Sequence, residues 1–369
     1  MIKRSKKAFI FLWVVFLSIG LRAEGKNHGV YAYFENFSFS DISSLKQFFQ
    51  ESTAGDYRRG EYFFTDAESG VGYQFTDATK NFRVGVFVRS FYYSAFSKDA
   101  SEVFATAANS ADLEFGRLYD IDFSLSRFDA RGVSVFFQRE IMGRLTVSAE
   151  LKAFNATGLL EVEGYGTIIN EGNITAVGEY EFFYNSDPIL SRKVDPINGE
   201  GYTSNFFMKY VVSKKSSLSL GVKDAYGMIY WERAPVTVAS IDAQSTTLVD
   251  KRKLIEKASI SGREFYKDLE KKLPSAYRAQ FSYRFNPVKM YISGYRNGLF
   301  DEVKLGFVRK IGRGQYYLGF SPKYGNFEVG YKRNQFLVEF STRDIDLEAT
   351  KYVKFNLSYN FPTLMDKFD

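Results

Sequence analysis

His28 is the single histidine of the chain, and cysteine is absent. A histidine base needs a nucleophile within hydrogen-bond reach and an acid to orient it. The flanking sequence supplies neither, so His28 reads as a residue close to a chain terminus. Without cysteine there is no thiolate nucleophile, no disulfide framework and no cysteine-ligated zinc or iron–sulfur centre. Asp344, Asp346 and Glu348 alternate along a loop and offer carboxylate oxygens suited to calcium. They lack the turn glycine and ligand number of an EF-hand, so loop solubility is the preferred reading and no metal site is expected. Gly164-Tyr165-Gly166 lies in an alternating segment without the dinucleotide fingerprint, and neither a nucleophile elbow nor a phosphate-binding loop occurs. No enzyme and no cofactor are expected.

The charged side chains that do follow a pattern are Arg83, Arg89, Asp120, Asp122, Arg144, Glu150, Lys152, Arg278 and Arg284, each set among apolar neighbours at every second position. On one face of a strand such a row can line a channel and bias its ion preference. It can equally pair into ion networks that fill an interior and hold a wall. The sequence leaves both readings open.

These rows belong to strands. Tyr277, Ala279, Phe281, Tyr283 and Phe285 share one parity, while Arg278, Gln280, Ser282 and Arg284 share the other. Leu145, Val147, Ala149, Leu151 and Ala153 stand against Arg144, Thr146, Ser148, Glu150 and Lys152 in the same way. Phe327, Val329 and Tyr331 likewise oppose Glu328 and Lys332. Breakers separate such runs at Asp129–Gly132, Asn155–Gly158, Asn170–Asn173, Asn286-Pro287, Gly312–Gly314 and Lys332–Asn334. The result is an antiparallel meander.

Alternation alone does not separate a soluble sandwich from a membrane barrel; other features do. Residues 1–23 read as a secretory leader, with basic Lys3, Arg4, Lys6 and Lys7, an apolar run from Ala8 to Leu21, and cleavage near Ala23. No later apolar run is long enough for a membrane helix. The leader holds five basic residues and no acid, so its removal takes the net charge of +6 down to +1 and removes the main support for nucleic-acid binding. The aromatic content of 18% excludes a disordered chain. Many strands of bilayer-crossing length would leave a sandwich with long exposed edges, which closure abolishes.

The expected fold is therefore all-β: a transmembrane antiparallel barrel of about 16 strands (range 14 to 18), apolar side chains toward lipid. Four segments follow: the leader 1–23, an N-terminal segment 24–60 (first strand, loop or hatch), the barrel 61–361, and a tail 362–369. With both termini in the periplasm, the outer connections fall at 344–351, 321–326, 297–302, 232–276 and 185–200, and 96–116 becomes a long periplasmic stretch. A hairpin at 61–76 lies in or beside the wall. Segment 232–276 is expected as a long outer loop with helix-prone, mixed-charge stretches at Asp250–Lys257 and Phe265–Lys272. Asp41–Phe49 and Asp99–Glu114 are two further helical candidates.

The last strand, Tyr352-Val-Lys-Phe-Asn-Leu-Ser-Tyr-Asn-Phe361, resembles the C-terminal assembly signal of Gram-negative outer-membrane β-barrels, with Phe355, Leu357, Tyr359 and Phe361 as its apolar positions. The departure is that Pro362 to Asp369 follow the terminal aromatic. The resemblance implies the barrel assembly machinery, outer-membrane lipid and lipopolysaccharide as partners, and the cell outer membrane as location. Gly199–Tyr202, Ser217–Asp224 and Ile229–Trp231 look like barrels of the long-chain fatty-acid transporter and conjugation-associated types; no ligand-binding residue is carried over. The function expected is a passive or weakly selective pore for small or hydrophobic solutes. A non-conducting adhesin, or a component of a secretion or conjugation assembly, is the alternative. Oligomeric state is left open.

Overall fold

The computed structural model describes residues 27–46, 60–77, 79–109, 111–185, 194, 197–246, 248–249, 253–254, 258–298, 300–344, 346 and 349–362. The leader, residues 47–49 of the first helical candidate, most of Asp250–Lys257, and 363–369 of the tail lie outside them. In chain order the strands are β1 (Asn27–Ser40), β2 (Tyr62–Thr76), β3 (Lys80–Phe96), β4 (Leu118–Ile141), β5 (Leu145–Asn170), β6 (Ile174–Tyr184), β7 (Gly199–Val211), β8 (Ser216–Lys223) and β9 (Met228–Thr246). After the two-residue pair β10 (Leu248–Val249) and β11 (Lys253–Leu254) come β12 (Ala258–Lys272), β13 (Ala276–Phe285), β14 (Val288–Asn297), β15 (Phe300–Ile311), β16 (Gly314–Ser321), β17 (Asn326–Arg333), β18 (Phe336–Thr342) and β19 (Tyr352–Pro362). Helix α1 (Lys98–Ala108) joins β3 to β4.

Every ladder is antiparallel, and the sheet closes where β1 meets β19, in register from Gly29↔Pro362 to Phe39↔Tyr352. Of the 17 strands in this sheet, the hydrogen-bonded ring passes through β1–β5, β7, β8 and β13–β19. This meets the expectation of a closed antiparallel barrel of 14 to 18 strands. β6, β9 and β12 form a branch: β5 pairs with β7 through Leu145–Ala156 and with β6 through Leu160–Asn170, and β9 then joins β6 to β12. β6 and β7 run the same way along β5, as β8 and β9, then β12 and β13, run along their neighbours. Three adjacent paths are thus each interrupted once, at 185–198, 224–227 and 273–275.

The outward face confirms the side-chain pattern. One cross-strand row reads Tyr210, Leu218, Phe281, Ile292, Leu305, Phe320 and Phe327, all exposed, Phe281 at 44% and Leu305 at 50%. The row one residue along is Ser217, Ser282, Tyr291, Gly306, Gly319 and Glu328, which faces inward. A continuous exposed apolar belt on a closed sheet is the surface of a barrel that crosses a bilayer. No helix among the described residues is long and apolar enough to cross one.

Glycines on the inward face make room for tyrosines that lie across several strands. A Cβ on Gly306 would stand 2.3 Å from Cζ of Tyr291 and 2.6 Å from the Leu318 carbonyl oxygen. Tyr291 crosses this floor to donate a hydrogen bond to Glu328 Oε1 at 3.1 Å. Gly306→Ala is therefore expected to lower stability by about 1–3 kcal/mol, the usual range for overpacking, read as a lower denaturant midpoint of refolded protein in vesicles.

Several expectations are corrected. Residues 61–76 are not a hairpin but a single wall strand, β2. Asp129–Gly132 and Asn155–Gly158 do not end strands; they sit within β4 and β5 at a bulge, where the register shifts between Arg127 and Asp129 and Gly158 takes φ +67°. Segment 232–276 is not a helix-prone loop: β9 and β12 pair along most of it. Its charges suit a strand outside the membrane, solvated on its outer side. Residues 185–198 interrupt a descending path without reversing it, which shifts the parity of everything upstream. Consequently 97–117, with α1, lies at the end opposite Asn27 and Pro362, not with the termini. The short turns 77–79, 142–144, 212–215, 286–287, 312–313 and 334–335 share the terminal end. In the first of them, the backbone N–H groups of Thr79 and Lys80 hold the Asp77 carboxyl below its ordinary range. The Asp99–Glu114 candidate is α1, capped by Ser97 Oγ on the Ala100 N–H. Within Asp41–Phe49 only Leu45-Lys46 is helical among described residues, with Ile42 and Leu45 buried.

Candidate functional site in the barrel interior

The interior is divided between a packed half and an open half. The packed half holds an apolar cluster where the branch curls inward: Phe87 and Phe91 of β3, Phe128 of β4, Phe154 of β5, Phe183 of β6, and Ile229, Trp231 and Val236 of β9. Gly201 lies against the Phe154 ring, where a Cβ would come within 2.2 Å of it. A second cluster, aromatic throughout, joins Phe37, Phe39, Tyr62, Phe64, Phe300 and Tyr352 toward the end away from the termini. There Asp41 accepts the N–H groups of Glu61 and Tyr62, and burial pushes its carboxyl up.

Beneath the apolar cluster lies a clasp of charges. Arg89 donates to Asp66 Oδ1 at 2.8 Å and Oδ2 at 3.1 Å, and to Asp224 Oδ1 at 3.0 Å and Oδ2 at 2.7 Å. Lys223 donates to Asp66 at 2.6 Å and Thr203 to Asp224 at 2.7 Å. Asp224 stands between β8 and β9 with φ +54°, its N–H on Asn205 Oδ1. Lys152 pairs with Glu68 and Glu150; Glu68 also accepts the Tyr33 hydroxyl at 2.7 Å, and Glu150 the Asn205 amide at 2.7 Å. A separate network ties Lys304 to Glu328 at 2.5 Å and Glu302 at 3.7 Å; Glu302 accepts the Tyr352 hydroxyl at 3.1 Å.

Two cavities occupy the open half. One, about 400 Å³, is lined by residues including Tyr31, Arg83, Phe136, Glu150, Lys152, Lys223 and Arg278. The other, about 240 Å³, is lined by residues including Arg278, Lys289, Tyr291, Tyr295, Glu328, Glu339 and Lys354. Arg278 belongs to both and lies over the Tyr295 ring, its guanidinium carbon 5.4 Å from the centroid. Arg83 lies over Phe136 at 3.8 Å. A wall of fixed charges and phenols can hold water and select solutes by charge.

Of the residues singled out by alternation, Arg83, Glu150, Lys152 and Arg278 border these cavities, Arg89 sits in the clasp, and Arg284 shares the Arg278 face closer to the terminal end. Three are placed elsewhere. Asp120 and Asp122 lie exposed on the upper part of β4, where their N–H groups bind Asp99 and Ser97 of the helix and its cap. The bulge places its extra residue on β5, so β4 keeps its parity; Asp120 and Asp122 are exposed on a stretch of β4 that runs past the last residue paired with β3, Phe123 opposite Phe96. Arg144 lies in the exposed turn between β4 and β5. Phe355, Leu357 and Tyr359 share the outward parity of β19; the Phe361 side chain and Glu348 are outside the described residues. Asp344 lies beside Arg343 at 4.0 Å, and no group of three metal-ligating side chains occurs among the described residues. His28 is exposed at the start of β1, its ring against Tyr73 and Phe75. The sequence reading missed Asp66, Glu68, Lys223, Asp224, Lys289, Glu302, Lys304 and Lys354. All but Asp224 follow the same inward parity that picked out Arg278.

No family model matches this chain, and no curated protein matches it. Among solved structures it is similar to the Ralstonia pickettii toluene transporter TbuX, at 11% identity over 93% of this chain and 90% of that one, with a TM-score of 0.43. It is also similar to the TodX monoaromatic hydrocarbon channel carrying the deltaS2S3 change, at 11% identity over 94% and 92%, TM-score 0.43. A third is the Pseudomonas putida toluene transporter TodX, at 8% identity over 93% and 90%, TM-score 0.35.

Proposed function

We propose that this chain is an outer-membrane pore or transporter that passes small or hydrophobic solutes through the open half of its lumen. The observation that carries this reading is the pair of cavities meeting at Arg278, in an interior that is otherwise packed or ion-paired. The exposed apolar belt supports a bilayer location, and the leader read from the sequence supports export to the outer membrane. The outward aromatic face of β19, at the seam of the ring, supports insertion by the barrel assembly machinery.

Steady conductance steps from refolded full-length protein in a planar bilayer are the expected result. No conductance from protein shown to be folded by heat-modifiable migration would overturn the pore and leave a structural or interaction barrel. With a salt gradient, Arg278→Ser is expected to lower the anion-to-cation permeability ratio while leaving the folded fraction unchanged, because Arg278 faces water-accessible space and forms no ion pair among the described residues.

A further inference from the structure

The smaller cavity carries a charge imbalance that the fold does not resolve. Its lining carries four cations and three acids, a net charge of +1. Glu302 and Glu328 share Lys304 and accept tyrosine hydroxyls, and Glu339 accepts the Asn356 amide at 3.1 Å. Its remaining cations, Arg278 of β13, Lys289 of β14 and Lys354 of β19, converge on the same space from different strands, and none forms an ion pair among the described residues. Cations gathered inside a protein wall favour an anion among them, since their attraction for it is screened less than at an open surface. The Arg278 guanidinium, its carbon 5.4 Å from the Tyr295 ring centroid, makes no hydrogen bond among the described residues, and its N–H edge matches the two oxygens of a carboxylate. The volume of about 240 Å³ suits a compact molecule rather than a long chain. Tyr291, Tyr295 and Tyr317 add aromatic surface and hydroxyl groups to the lining.

We infer that this cavity binds a small organic carboxylate, with the carboxylate on Arg278 and the charges of Lys289 and Lys354 around it. The inference rests on the pore reading for its route of access, and it names the class of solute that pauses there.

The test is calorimetry on the folded full-length chain in detergent, with benzoate as probe and benzyl alcohol as its neutral counterpart. Saturable one-to-one binding of benzoate is expected, with no saturable heat from benzyl alcohol. Arg278→Gln and Lys354→Gln should each weaken benzoate binding by about tenfold or more, whereas Arg313→Gln, in the turn before β16, should not. If Arg278→Gln does not fold, Lys289→Gln takes its place beside Lys354→Gln. Equal binding of benzyl alcohol would make the site merely apolar and overturn the inference. Inorganic phosphate binding as tightly as benzoate would overturn the carboxylate assignment, and benzoate binding untouched by the glutamine variants would overturn the site. Conductance separates the two readings: a conducting barrel that ignores benzoate removes this inference alone, and a non-conducting barrel removes the pore.

Discussion

Arg89→Met is expected to lower barrel stability by about 3–5 kcal/mol, the usual cost of stripping one partner from a buried ion pair. The side chain of Arg89 is 4% exposed and that of Asp224 3%, so water replaces little of what is lost. Asp66 would retain Lys223, but the Asp224 carboxylate would keep only the Thr203 hydroxyl, with no cation among the described residues. Methionine fills much of the arginine stem, which isolates the electrostatic loss from a packing loss. Equilibrium unfolding in vesicles by denaturant gives the measurement. The double variant Arg89→Met/Asp224→Asn should recover a large part of the loss, since it removes the stranded charge. A single-variant loss below about 1 kcal/mol, the size of an exposed pair, would mean that the clasp does not hold β3 to the β8–β9 junction.

The second large effect belongs to the outer face. Phe281→Arg places a cation in the middle of the row Leu218, Phe281, Ile292, Leu305, flanked on both sides by apolar residues facing the bilayer. A cationic side chain there costs about 2–4 kcal/mol at mid-depth. The heat-modifiable folded fraction in liposomes should fall, while Arg278→Ser, three residues away and facing the lumen, should fold as the parent does. A tolerated Phe281→Arg together with a misfolded Arg278→Ser would reverse the assignment of faces on β13.

Where one face meets lipid and the other the lumen, the pattern of period two was enough. Val303 and Leu305 against Glu302 and Lys304, or Phe281 against Arg278, reveal strand, face and environment at once. The branch was not legible for the same reason inverted: outside the bilayer both faces of β12 tolerate charge, so Arg263, Glu264, Lys267 and Asp268 carry no period and read as a helix. Interruptions defeated the parity count, because a connection such as 185–198 gives no sign in its composition of whether the chain turns back or continues. Asp224 was invisible because its role depends on a left-handed backbone position between two strands and on Arg89, far away in sequence. The cavities depend on which inward side chains lack partners, and that requires the pairing of β5 with both β6 and β7, β8 with β13, and β19 with β1.

That last pairing has a topological consequence. With Gly29 opposite Pro362 and Phe39 opposite Tyr352, the ladder is cyclic: no strand of the finished ring is first or last, and the two described ends meet on one rim. A chain joined across that rim and cut instead at the turn 334–335 would present the same hydrogen bonds in the same order. The order of synthesis matters only until closure, when β1 must wait, unpaired on one edge, for the segment made more than three hundred residues later. Until that moment the nascent sheet has two open edges, and its seam is the ladder that joins the segments farthest apart in the chain.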